Sequence, residues 1–149
     1  VQDLQAYVLD PPLPTQAFFA LVDATANLVG ASERYWNSKG LHGARMRVLV
    51  EISKEGGTIL PSLLARRIGV TKPNISILLT PLEHDGYIRR SGHPEDGRKT
   101  VISITAEGRE LLQRYLPGNR EEIAERMKGL EEQELKQLIS LLNKIHTHA

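Results

Sequence analysis

Residues 61–86, PSLLARRIGVTKPNISILLTPLEHDG, carry the reading that decides the fold. Pro61 suits the first turn of a helix, where a missing N–H costs nothing, and Leu63, Leu64 and Ile68 give that short helix an apolar face. Gly69 ends it. The turn Ile68-Gly69-Val70-Thr71 puts glycine where a left-handed backbone is needed and valine where two helices need a staple, while Ala65 is small enough to let them approach. Thr71 caps the next helix, Pro73 is tolerated in its first turn, and Gly86 closes it after about Asp85. These are the parts of a helix-turn-helix. Alone, they also fit any helical domain with a short interhelical turn.

The helical wheel of the second helix sharpens the choice. At about 100° per residue, Ile75, Leu78, Leu79 and Leu82 fall on one side and form core. The other side shows Pro73, Ser76, Ile77, Thr80 and His84, flanked by Lys72 and Asn74, with no acidic residue before Glu83. A helix laid in a DNA major groove accounts for this face. Lys72 and Asn74 can donate to base edges or phosphates, Ser76 and Thr80 can bond either, and Ile77 can contact a thymine methyl. A lone surface isoleucine is also ordinary, which is the plainer account of Ile77. Pro81 removes an N–H inside this helix and should bend or tighten it locally.

Downstream, Tyr87-Ile88-Arg89-Arg90 and the β-branched run Thr100 to Thr105 enclose a polar loop, Ser91 to Lys99, and read as a long-looped hairpin. The tip, His93-Pro94-Glu95-Asp96-Gly97-Arg98-Lys99, fits a flexible arm carrying Arg98 and Lys99 to the adjacent minor groove, whose narrow A·T stretches favour arginine. Asp96 can bond the Arg98 guanidinium and hold it extended. A solvated loop with neighbouring charges is the alternative. Arg89 and Arg90, at the base of this wing, can reach phosphates or serve as ordinary surface charge.

Residues 1–14 hold three prolines between Pro11 and Pro14 and read as an extended arm. Phe18, Leu21, Val22, Leu28 and Val29 then mark an amphipathic helix from Thr15 to about Ser38, and Met46, Leu49, Val50 and Ile52 a second from Arg45 to about Glu55. After the hairpin, Thr105 starts a fifth helix with Leu111, Leu112, Tyr115 and Leu116, interrupted at Pro117-Gly118. Its stripe resumes at Ile123 and Met127. A last helix opens near Leu130-Glu131-Glu132. The expected architecture is mostly α, six helices with a small β-hairpin wing. Leu130, Leu135, Leu138, Ile139, Leu142 and Ile145 need a partner, and a second copy is the simplest one; packing on the first helix is the alternative.

Composition is that of an ordinary globular domain and excludes several other classes. The 149 residues are 40% apolar and 25% charged, with net charge +1. The charge is uneven: residues 58–105 carry 7 basic against 4 acidic side chains, an excess of +3 on the segment just described. There is no cysteine, which removes disulfides, thiolate metal sites and thiol chemistry. No apolar run nears the roughly 20 residues of a membrane span, and Val1-Gln2-Asp3 begins nothing like a secretory signal, so a cytoplasmic protein is expected. The five histidines show no ligand spacing beyond His146-x-His148. With no GxSxG, HExxH or phosphate-binding glycine loop, neither an enzyme nor a cofactor is expected. A winged-helix module for protein contacts is the alternative to a DNA binder.

Leu82-Glu83 before Gly86, Asp96-Gly97-Arg98 in the wing, and Ile104-Thr105-Ala106-Glu107-Gly108 opening the next helix together resemble the MarR family of bacterial transcriptional regulators, with Ile104 where leucine is usual. The motifs span residues 60–108, and the helix order matches nearly the whole chain. The resemblance implies a winged helix-turn-helix lobe over 45–105 within a domain over 15–149, and dimerisation helices over 15–40 and 106–149. It further implies a homodimer that binds a palindromic operator near its own promoter, most simply as a repressor. By likeness Arg98 enters the minor groove, and Lys72, Asn74 and Ser76 approach the major groove. A small aromatic acid often releases such proteins from DNA, from a pocket walled by the first, second and fifth helices. Tyr35, Trp36, His42, Arg45 and Met46 sit at that junction and can hold a phenolic carboxylate by stacking and charge-assisted hydrogen bonds. Otherwise, Trp36 simply anchors the junction.

Overall fold

A computed structural model describes residues 3–148, with side chains through His146; Val1 and Gln2 of the expected arm and the His148 side chain lie outside the described residues. Seven helices and three strands follow in the order α1 (Leu4–Leu9), α2 (Leu13–Ser38), α3 (Gly43–Lys54), β1 (Thr58–Ile59), α4 (Pro61–Ile68), α5 (Lys72–His84), β2 (Ile88–Gly92), β3 (Thr100–Ile104), α6 (Ala106–Met127) and α7 (Glu132–His148). No described helix is long and apolar enough to cross a membrane.

The central lobe is built as its sequence dictates. Gly69 ends α4 at φ +83°, a left-handed conformation that a side chain would strain. The Thr71 hydroxyl accepts from the Asn74 amide and opens α5. Ile75, Leu79 and Leu82 from α5 meet Leu49 and Ile52 from α3, Leu64 from α4, and Ile102 from β3 in one buried core. Leu78, assigned to that core from its wheel position, is only half-buried against it. α5 continues through Pro81 to His84, and the Asp85 amide donates to the Pro81 carbonyl at 3.0 Å.

Four expectations need correction. The arm is not wholly extended: Asp3 accepts from the Ala6 amide and caps α1, so the described residues form seven helices rather than six. Pro11 and Pro12 confine the break to the junction, and Pro14 lies harmlessly in the first turn of α2. The wing is one part of a three-stranded antiparallel sheet, ordered β1-β3-β2, because Thr58 and Ile59 pair with Ser103 and Ile102. Finally, Pro117 and Gly118 do not interrupt α6, which runs unbroken from Ala106 to Met127. Gly118 instead allows close packing: the Tyr35 hydroxyl would lie 2.5 Å from a Cβ there, and it donates to the Tyr115 carbonyl at 2.6 Å.

Thr105 fixes α6 to the end of α5. Its hydroxyl donates to the Gly86 carbonyl at 2.6 Å and accepts from the Gly108 amide at 3.1 Å. Around this lobe, α1 and α7 make little contact with the rest of the described chain. Phe18, Phe19 and Val22 on α2, and Ile139 and Ile145 on α7, remain exposed.

Candidate nucleic-acid interface

The core face of α5 fixes its opposite face. With Ile75, Leu79 and Leu82 anchored inward, Lys72, Asn74, Ser76, Ile77 and Thr80 all stand exposed. Ile77 is 69% exposed, on the side of α5 opposite its core residues. The Thr80 hydroxyl is engaged on its own helix, donating to the Ser76 carbonyl at 3.0 Å.

The wing rises beside this face on the β2–β3 ladder, where Arg89 pairs with Ser103 and Arg90 with Ile102. Arg89 points to solvent. Arg90 turns back onto α5: its Nη2 donates to the Thr80 hydroxyl at 3.3 Å, and its Nε lies 3.6 Å from a Glu83 carboxylate oxygen. The tip expected to be a flexible arm is internally bonded. The His93 amide donates to the Lys99 carbonyl, the Lys99 amide to the Asp96 carbonyl, and His93 Nδ1 accepts from the amides of Glu95 and Asp96. Asp96 Oδ1 accepts from both the backbone amide and Nε of Arg98, at 3.1 and 3.2 Å. The Arg98 side chain is nevertheless 91% exposed, so its Nη groups are presented outward. Lys99 beside it is also exposed.

A second feature lies behind the lobe. A cavity of about 500 Å³ opens between α2, α3 and α6. Of the five residues expected to form a ligand pocket, Trp36 and Met46 line it, whereas Tyr35, His42 and Arg45 do not. Tyr35 is occupied by its bond to Tyr115, and its ring meets Trp36 edge-on at 5.0 Å. Burial, with the nearby Glu121 carboxylate, raises the Tyr35 pKa above its ordinary 10.0. His42 precedes α3 at its N-cap position without a side-chain cap bond. The polar lining missed from sequence comprises Ser32 and Glu33 from α2, Arg47, Glu51 and Lys54 from α3, and Asn119 from the distant α6. Among the described residues no group of three histidine or carboxylate side chains is placed to hold a metal.

Comparison with known proteins agrees with this geometry. The family model for the MarR family matches residues 39–99, which include α3 to α5 and most of the wing. The transcriptional repressor YetL of Bacillus subtilis, a helix-turn-helix protein, is 30% identical over 128 residues, covering 85% of this chain and 77% of YetL. Two solved structures share the fold. The MarR family regulator Sco3205 of Streptomyces coelicolor, in complex with DNA, superposes with a TM-score of 0.81 at 21% identity, covering 92% of this chain and 90% of Sco3205. An organohalide-sensing regulator in its 2,4-dichlorophenol-bound form superposes with a TM-score of 0.82 at 20% identity, covering 95% and 84%. A family match centred on the lobe that carries the exposed helix face, and a relative aligned well beyond that lobe, lead to one assignment: the chain belongs to the MarR family and is a DNA-binding transcriptional regulator rather than an enzyme.

Proposed function

We propose that the protein is a homodimeric repressor that sits on a palindromic operator and leaves it when a small aromatic ligand fills the cavity between α2, α3 and α6. The observation that carries the DNA reading is the outward face of α5, where Lys72, Asn74, Ser76 and Ile77 are all exposed beside a wing that presents Arg98. In this reading Lys72 and Asn74 reach phosphate or base edges, Ser76 bonds a base edge, Ile77 packs on a thymine methyl, and Arg98 with Lys99 occupies the minor groove. Arg89 contacts phosphate. Thr80 and Arg90 act at the edge of this surface, through the bond they share.

Surface area supports the dimer. The chain exposes 10907 Å², about 3,300 Å² more than a compact monomer of 16.6 kDa would. The excess suits apolar helices that meet only in a second copy; over two chains it comes to about 6,600 Å², at the large end of obligate dimer interfaces. Support for the ligand comes from the cavity itself, walled partly by Trp36 and Met46, and from the phenol-bound regulator that shares the fold. Repression is favoured by the likeness to YetL, and the site of action is then the cytoplasm.

Footprinting on the intergenic DNA beside its own coding sequence tests the proposal. Two symmetric half-sites should be protected, about 34–36 Å or a multiple of that apart, and occupancy should fall steeply with salt. Protection of a single unsymmetric site, or of none, would remove the dimer–operator reading.

A further inference from the structure

Four charged side chains line the cavity between α2, α3 and α6: Glu33, Arg47, Glu51 and Lys54. They differ in what they already bond. Glu51 is buried, and its Oε1 accepts from Lys54 Nζ at 3.2 Å with Arg47 Nε 3.9 Å away. Arg47 also donates through Nη2 to the Arg67 carbonyl at 3.4 Å. Both cations keep their side chains more than half exposed, at 57% and 62%. Neither is an uncommitted positive charge facing inward.

Glu33 is different. Its half-buried carboxylate lies so close to Gly43, the first residue of α3, that a Cβ there would collide with it. Among the described residues it has no hydrogen bond or ion pair. Asn119, 8% exposed on α6, lines the same cavity with its Nδ2 buried and without a partner. A buried amide donor without an acceptor is unfavourable until something supplies one. The side chains without a partner in this lining are therefore the Glu33 carboxylate, the Asn119 amide donor and the Ser32 hydroxyl, set among the apolar Trp36, Met46 and Val50, and of these only Glu33 is charged.

We infer that the cavity takes an aromatic ammonium compound carrying a hydrogen-bond acceptor, and discriminates against aromatic carboxylates. The ammonium pairs with Glu33, the acceptor receives the Asn119 amide, and the ring packs beside Trp36. A carboxylate in the same place meets Glu33 as a like charge, with both nearby cations already held by Glu51 and Arg67. This inference rests on the effector reading of the cavity and adds the charge of the ligand.

Three probes with one ring and one acceptor isolate that charge: 4-methoxyphenethylammonium, 4-methoxyphenethyl alcohol and 4-methoxyphenylacetate. Trp36 is the single tryptophan, so its fluorescence reports the cavity directly. The ammonium should bind about fivefold tighter than the alcohol, the increment of a partly exposed ion pair, and the acetate most weakly. In Glu33→Gln the ammonium and the alcohol should become equal. Acetate binding as tightly as the ammonium, or a preference unchanged in Glu33→Gln, overturns the charge assignment and leaves the effector site standing. No fluorescence change with any of the three overturns both.

Discussion

The Arg90 guanidinium reaches back from the base of the wing to the Thr80 hydroxyl, 3.3 Å away on α5. Pro81 follows Thr80 and offers no N–H to the Ile77 carbonyl one turn earlier, so the helix is weakest at this point. Arg90 spans it, bonding Thr80 before the proline and lying 3.6 Å from Glu83 after it. Arg90 is thus a positioning residue. Arg90→Ala should lower stability by about 0.5–1.5 kcal/mol while leaving the salt slope of DNA binding unchanged. Arg89→Ala should do the reverse, sparing the melting temperature and reducing the slope by about 1. Unfolding curves and binding at several salt concentrations separate the two. A reduced slope in Arg90→Ala would return that residue to the phosphates.

Arg98 is held at its root and free at its tip. Asp96 fixes Nε, and the rest of the side chain stays exposed. Arg98→Ala should weaken operator binding by about 1–3 kcal/mol and leave the melting temperature unchanged. Asp96→Ala should cause a smaller loss, because the guanidinium persists but must be ordered on binding. Titrating the operator with each variant checks the order; equal loss in both would mean that Asp96 contributes more than orientation.

These residues were readable to different depths from the sequence. The outer face of α5 follows from local periodicity, because burying Ile75, Leu79 and Leu82 leaves Ile77 no inward position. The Asp96–Arg98 contact spans two residues and was legible for the same reason. The Arg90–Thr80 bond was not, since Arg90 was equally plausible as a phosphate contact until the strand ladder fixed its direction. β1 has no signature in the sequence, because two residues carry no period and its partner lies more than forty positions away. The cavity lining was hardest to foresee. Glu33, Glu51 and Asn119 belong to three helices and meet only through tertiary packing, whereas Trp36 and Met46 announced themselves by size and apolarity near a helix junction.

The exposed apolar face of α7 makes the association state testable. Ile139 is exposed and α7 scarcely touches the rest of the described chain. A carboxylate there costs little in a monomer but is buried unpaired in a dimer. Ile139→Glu should weaken self-association at least tenfold, about 1.4 kcal/mol or more, without unfolding the central lobe. Sedimentation equilibrium reads this directly, with the parent chain dimeric at micromolar concentration. A parent that sediments as a monomer would overturn the dimer.

Tyr35 gives the protein a pH signature at the alkaline end. Its hydroxyl must stay protonated to donate to the Tyr115 carbonyl, and burial raises its pKa above 10.0. Raised in the folded state, this pKa means that the native chain holds the proton when the unfolded chain has released it. The contribution is fully present below pH 10 and is lost as pH climbs through the folded value. Tyr35→Phe should therefore cost about 1 kcal/mol at neutral pH and show a flatter decline of stability above pH 10. Denaturant unfolding of both proteins between pH 8 and pH 11 measures the difference; parallel curves would mean that the hydroxyl is not tied in this way.

The glycine opening α6 is required by distance, not by a special backbone angle. A Cβ at Gly108 would strike the Tyr87 carbonyl oxygen and lie 2.8 Å from Ile104 Cγ1. The obstacle is mainly backbone, which cannot turn aside as a long side chain does. Tyr87 leads into β2 and its carbonyl accepts from the Thr105 amide, so displacing it loosens the joint between the end of α5 and the start of α6. Gly108→Ala adds helix propensity worth up to about 1 kcal/mol, yet overpacking against fixed backbone costs about 1–3 kcal/mol. The net change should be destabilising, and DNA affinity should fall with it because the joint sets the wing relative to α5. Differential scanning calorimetry alongside operator binding decides the matter. A Gly108→Ala protein more stable than its parent would mean that α6 can shift away from Tyr87, and that the approach of helix and strand at this joint is not the constraint on residue 108.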